Sequence, residues 1–460
     1  MRDLEQTATK PERLVSLDNF RGITIAAMII VNNPGTWGAM YKPLTHAQWD
    51  GWTPTDFIFP FFLFIVGVAM VFSLDRRLNA GAPRGPILRK AGERAAVLFA
   101  LGMIMTGFPN LRLLMPWLLL IAGLKIAETG ESKENGKPWL VGGLATLGAA
   151  FLWFILDFAH FQGDTVALSW KALFPLTNDL NAIEGVSAWT IRVPGVLARI
   201  ALAYILGTIV MVFCRGWKGR TAWAVGLMVL YYLICLLIDA PDGYDFAEGV
   251  KPDAPADAPF PGLLHDWIDV KLLGDHLYSH RPDPEGLLST IPSVATVLLG
   301  VLTGQWLRKE GESPMRRAAG MAIAGAVLLV LGLAWDLVFP INKKIWTSSY
   351  VLLMGGWALL FLALCYWLND VMKWRKWSVP FVIFGMNAIL LFFGSGIVGR
   401  LLIVIKVGEG VALKTWIYNN LFDSWIGPDK LASFSYSVVN LALWLVVLTV
   451  FYKKKWFLKV

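Results

Sequence analysis

His46 is the only histidine in the first 150 residues, and it sits in a short polar loop between two apolar segments. Trp37, Tyr41, Trp49 and Trp52 surround it in sequence, and Asp50 and Asp56 are close enough to orient or charge an imidazole. Histidine titrates near neutral pH, so it can take a proton from an amine or hydroxyl and pass it to a leaving group. The plain alternative is an exposed loop side chain. Asp56 follows Thr55 at the start of the second segment, where a carboxylate also serves as a helix cap, and Pro60 falls in the tolerant first turn. Asn32 and Asn33 close the first segment, where an amide can bond a substrate or simply cap. Asp18 and Arg21 lie three apart in that segment, so they share a helix face and can pair. Such ionisable groups face a protein interior or a water-filled cavity rather than lipid.

Further polar groups recur at the edges of apolar segments. Arg192 and Arg199 are seven apart, two turns along one helix face, with Pro194 suited to start that helix. A guanidinium binds phosphate through its planar fork, and pairing with a carboxylate is the other use of Arg199. Asn342, Lys343, Lys344, Trp346, Ser349 and Tyr350 make a polar entrance to a later segment, as a ligand pocket or as snorkelling side chains. Asn387 falls inside an apolar run, where a buried amide must find a partner or face a cavity. His276 and His280, with Asp275 and His265, raise zinc, but this spacing lacks a well-placed third ligand and no metal is expected. A Gly-rich phosphate loop, a CxxC array and a serine elbow are absent.

These residues hang on a very apolar chain. With 56% hydrophobic and 16% charged residues and a mean hydropathy of +0.56, it is not an ordinary soluble globule. Twelve segments of about 20 apolar residues are long enough to span a bilayer as helices, near 14–34, 55–74, 90–108, 111–127, 138–158, 192–213, 221–239, 287–307, 316–338, 346–368, 379–404 and 433–452. The expectation is an all-α integral membrane protein, a polytopic bundle of 10 to 12 transmembrane helices forming one domain over 1–460. Arg and Lys cluster after the second, sixth, eighth and tenth segments and in the tail at Lys453, Lys454, Lys455 and Lys459, which places those loops and both termini in the cytoplasm. The His46 loop and the Asp-rich insertion at about 240–286 then fall outside. The net charge of +8 is explained by this orientation, so no nucleic acid is expected as a partner. The three cysteines fall in or beside apolar segments, which argues against a disulfide framework. The polar first 13 residues carry no signal-peptide core, so no cleaved leader is expected.

The blocks SLDNFRG, THAQWDGWTPTDFIFPFFLFIVG, IRVPGVLARIALAYILG (191–207), LLGDHLYSH (272–280), DPEGLLSTIPSVATVLLGVLTG (283–304), FPINKKIWTSSYVL (339–352) and GMNAIL (385–390) together resemble the heparan-α-glucosaminide N-acetyltransferase family. The resemblance runs in family order from residue 13 nearly to the end; it leaves the pair 111–158 unmatched and lacks the large luminal domain of the lysosomal member, as in a compact prokaryotic form. The acyltransferase-3 family also begins with an SLDxxRG-like signature, but its histidine stands late in the first helix, where this chain has Asn32.

The resemblance implies a multi-pass inner-membrane enzyme that takes acetyl-CoA from the cytosol as co-substrate. The acetyl group passes to the amine of a glucosamine-type sugar or oligosaccharide at the outer face, and a homodimer is implied. His46 would be the catalytic base or the carrier of an acyl intermediate, with Asn32 and Asp56 beside it. Arg21, Arg199, Asn387 and Ser349 would serve the co-substrate, and Trp49, His276, Asn342, Lys343, Lys344 and Trp346 the acceptor. The competing reading is an amino-sugar or oligosaccharide transporter, motivated by many spans with intramembrane charges, although no internal repeat is visible.

Overall fold

The computed structural model describes residues 14–458 except 110, 132–136, 163, 164, 169–191, 194, 247–250, 256, 275, 279 and 409. The N-terminal 13 residues, Pro194 as a helix start, Asp275 as a metal ligand and Lys459 lie outside the described residues. Sixteen helices follow one another: α1 (Val15–Asn32), α2 (Ile58–Met70), α3 (Arg76–Asn79), α4 (Arg84–Gly107), α5 (Leu111–Glu131), α6 (Lys137–Phe158), α7 (Val196–Phe213), α8 (Trp217–Leu237), α9 (Leu263–Leu273), α10 (Thr290–Leu307), α11 (Pro314–Asp336), α12 (Ser348–Tyr366), α13 (Val379–Met386), α14 (Ala388–Val404), α15 (Leu413–Tyr418) and α16 (Asp429–Lys453). Among the described residues, strand pairing comprises three short two-stranded pieces in the connections and a single bridge between Asp50 and Asn342.

Among the described residues, eight helical runs are long and apolar enough to cross a membrane, or nine if the bent pair α13–α14 is one span. The chain is an all-α, multi-pass membrane protein. Its α8, α11 and α16 leave Leu230, Val330 and Val446 exposed, as side chains that meet lipid must be. The innermost core joins α2, α7, α10 and α12 through Leu63, Met211, Val297, Leu298, Tyr350 and Val351.

Two sequence expectations need correction. The run 379–404 is not one helix: it breaks at Asn387, with the halves bent by 67°. At the break the Asn387 amide donates to the Trp456 carbonyl at 3.1 Å and accepts from the Leu458 amide at 3.2 Å, tying it to the chain's tail. Nor does Arg192 share a helix face with Arg199. The helix starts at Val196, and Arg192 lies before it, bound to Asp283 and Glu285.

Close backbone approach sets the bundle's inner geometry. A Cβ on Gly67 of α2 would strike the Val297 carbonyl of α10, and one on Gly300 would strike the Phe64 carbonyl in return. Gly22 against Phe381 and Gly385 against Asp18 hold α1 to α13 in the same way. Contacts also define the bundle's two ends. At one, Ser16 meets Asp370, Arg308 meets the Val71 carbonyl and Arg220 pairs with Asp75 at 2.9 Å. At the other, Asp50 meets Asn342, Lys344 meets Asp253 and Gly35 meets Ser433. The basic connections gather at the first end, and His46 lies at the second.

Candidate active site

The loop before α2 is built to hold one imidazole. Thr53 and Asp56 form a reciprocal capping box over the turn Pro54–Phe57, which leads directly into α2. Asp56 is fully buried, and its carboxylate accepts from the Ala47 amide at 3.1 Å, the Thr53 amide at 2.9 Å and the Thr53 hydroxyl at 3.1 Å. The fourth donor is His46, whose Nδ1 lies 2.6 Å from Oδ1 of Asp56. Asp56 is thus both a cap and the group that orients the ring. With the Nδ1 proton given to Asp56, Nε2 carries the lone pair.

Lys343 arrives from the loop before α12, with Nζ 2.9 and 3.1 Å from the two ring nitrogens and 3.6 Å from Asp56. The His46 side chain is 47% exposed at the mouth of its recess. Desolvation there, aided by the Lys343 charge, outweighs Asp56 and holds the imidazole pKa below its ordinary value. Burial lowers the Lys343 ammonium as well, against the opposing pull of Asp56 and Glu285. The Lys343 loop is fixed by Asn342, which accepts from the Lys344 and Ile345 amides and donates to Asp50 at 3.1 Å. Trp346 in this loop adopts φ 55°, a left-handed conformation costly for a bulky residue.

A cavity of about 410 Å³ opens beside His46, lined also by Asn32, Asn33, Glu285, Lys343 and Arg400. Arg192 anchors Glu285 and Asp283; burial works to lower its guanidinium pKa, and the charges of these two carboxylates outweigh it and raise it. Arg400 donates to the carbonyls that end α4, at Met105, Thr106 and Phe108. Toward the basic end lies a second cavity of about 530 Å³, lined by Arg21, Ser73, Arg94, Tyr204 and Leu458 among others. The two cavities share Met28, Phe62, Val196 and Phe392 as a common apolar wall. A third recess of about 240 Å³ meets the second at Ser73, Arg94 and Tyr204 and adds Arg77, Lys90 and Lys125. Recess, middle cavity and His46 cavity therefore follow one another through the bundle.

The remaining candidates fall in several places. Arg21 borders the middle cavity and lies 3.5 Å from Asp18 and from the Gly385 carbonyl. Arg199 is buried, donates to the Gly286 carbonyl at 2.7 Å and to Ser289, stands over Trp346, and borders none of these three cavities. Ser349 bonds Thr347, Trp346 donates to Thr296, and Lys344 pairs with Asp253, all away from the His46 cavity lining. Trp49 is buried with Tyr231, Phe339 and Ile345, and the His276 carbonyl accepts from Val193. Among the described residues no three His, Cys, Asp or Glu side chains converge as metal ligands. Glu285, Arg400 and the Arg77–Lys90–Arg94–Lys125 recess escaped sequence reasoning. The DPEGLL block and the loop charges were visible, but nothing local tied either to the imidazole.

The membrane helices thus carry an oriented imidazole at the mouth of a chain of cavities. Residues 13–118 match the family model described as heparan-alpha-glucosaminide N-acetyltransferase, catalytic. The chain is 26% identical to the human heparan-alpha-glucosaminide N-acetyltransferase over 98% of its own length and 60% of that protein's. Against the mouse protein of the same name it is 27% identical, over 99% of its length and 62% of the other's. The similarity runs over nearly the whole chain, which spans about 60% of the length of those proteins.

Proposed function

We propose that this protein is a transmembrane acetyltransferase, moving an acetyl group from acetyl-CoA to the amine of a glucosamine-type sugar. The observation that carries the reading is the His46–Asp56 pair at one end of a cavity chain whose other end is a basic recess. Arg77, Lys90, Arg94 and Lys125 suit the phosphates of a nucleotide-bearing thioester. The apolar middle cavity suits its uncharged arm, with the thioester pointed at His46. The basic loops make the recess end cytoplasmic, with both termini on that side and the His46 end facing out, in the inner membrane of a bacterial cell.

In the transfer itself, the acceptor nitrogen attacks the thioester carbonyl carbon and its proton passes to Nε2 of His46; the C–S bond then breaks, and the leaving sulfur takes that proton from the imidazolium and departs as the thiol. Lys343 and the Asn32 amide, which line this cavity, would meet the oxyanion that forms on the carbonyl, and Glu285 would hold the acceptor before it loses its proton. An acetyl-His46 intermediate would use the same residues in two steps. The test is release of CoA from acetyl-CoA by purified protein against a panel of amines and sugars. Turnover with glucosamine-type acceptors that is lost in His46→Ala supports the proposal. Turnover unchanged in that variant, or no turnover with any amine, contradicts it.

A further inference from the structure

The His46 cavity has a second side, away from the imidazole, that the transfer itself leaves unused. There α14 lines it with Val398, Leu402 and Ile403, and α16 with Tyr436, Asn440 and Trp444, which at a spacing of four share one helix face. Both helices are apolar enough to cross a membrane, α14 as the second half of the bent pair. Val398 also belongs to an exposed stripe with Leu401 and Ile405, three and seven positions on, and Val439 and Leu443 are exposed beside the lining face of α16. On this side the cavity therefore reaches side chains that meet lipid.

Lys414, from the short helix α15, lines the same cavity. Among the described residues it makes no hydrogen bond or ion pair. A lysine at a membrane edge ordinarily snorkels its charge into water, whereas Lys414 is half-buried, and that burial holds its ammonium pKa below the ordinary lysine value. The Arg400 guanidinium, which donates to the Thr106 carbonyl at 2.9 Å, brings a second positive charge to the lining. Glu285 is the one carboxylate among the described lining residues, and Arg192 already binds it. A half-buried ammonium without a carboxylate of its own is a place for an anion from outside the chain.

We propose that the acceptor at this site is an amino sugar carried on a lipid phosphate, with the phosphate at Lys414 and Arg400 and the alkyl chain left in the bilayer along Val398. The sugar as head group rests on the acetyltransferase reading. The anion and the chain come from the lysine and from the lipid-facing rim, since membrane lipids carry their negative charge chiefly as phosphate esters. Only sugar and phosphate then have to fit within the cavity.

Calorimetric titration of the full-length protein in detergent compares four ligands: glucosamine, glucosamine 1-phosphate, octyl glucosaminide, and the octyl phosphodiester of glucosamine 1-phosphate. The phosphodiester is expected to bind at least about tenfold more tightly than each of the others, to lose that advantage in Lys414→Gln and to keep it in Lys414→Arg. Lys406→Gln, exposed on the neighbouring hairpin and outside the lining, should leave all four unchanged. Glucosamine 1-phosphate binding equally well would remove the lipid, octyl glucosaminide binding equally well would remove the anion, and an unchanged Lys414→Gln would remove the subsite; each overturns the proposal. The comparison of ligands on the unsubstituted protein decides the matter even where Lys414→Gln fails to fold. CoA release on the same preparations keeps the two claims apart. Turnover of glucosamine with no preference for the phosphodiester overturns this inference alone, whereas tight phosphodiester binding without turnover of any ligand contradicts the acetyltransferase reading and leaves the lipid phosphate site standing.

Discussion

The two ends of the cavity chain are built in opposite ways. At the His46 end the polar groups around the imidazole are tied to one another: Asp56 takes four donors, Asn342 clamps the Lys343 loop, and Arg192 binds two carboxylates. At the other end Arg77, Lys90, Arg94 and Lys125 stand around a recess with only Glu93 and Glu128 as opposing charges in its lining. The first end is pre-organised for proton transfer, where a misplacement of about 1 Å is expensive. The second offers positive charge to a large anionic ligand, which tolerates looser geometry.

That contrast can be broken from either side. The largest effect belongs to His46→Ala, expected to lower kcat by about 10²–10⁴-fold in the CoA-release assay without unfolding the protein. Asp56→Asn keeps shape but removes the charge that orients the ring, so it should cost about 10²-fold or more. The double variant should be little worse than His46→Ala alone, since residues acting as a unit are not additive. Additive losses would separate Asp56 from the histidine. At the basic end, Arg94→Ala should raise the KM for acetyl-CoA by about tenfold, the scale of one charge-assisted contact. The acceptor KM should stay put, and the defect should deepen with salt as screening weakens the remaining cations.

A smaller effect distinguishes Lys343 as a tuner of the imidazole. Its charge lowers the His46 pKa, so Lys343→Met should raise it. A base with a higher pKa needs a higher pH to lose its proton, so the acidic limb of the kcat/KM profile should move to higher pH. A limb that stays in place or moves down would remove Lys343 from that role.

Sequence made the His46–Asp56 pair legible because ten residues and one capping turn contain it. Of the twelve apolar segments, those at 90–108, 111–127 and 138–158 are not among the eight or nine runs long and apolar enough to span; the others were equally plain, since hydrophobic runs declare themselves locally. The break at Asn387 was not, because the hydrogen bonds made there reach residues 456 and 458 at the other end of the last helix. Glu285 reaches the cavity only because Arg192, some ninety positions earlier, holds it there. Lys343 read as part of a polar entrance, and its approach to the imidazole across nearly three hundred residues is a product of packing alone.

The most direct test of donor delivery from the opposite end uses sealed vesicles carrying the protein, with acetyl-CoA enclosed and glucosamine outside. The account predicts N-acetylglucosamine in the outer solution while CoA stays within. Product that forms only when donor and acceptor share a compartment would contradict it.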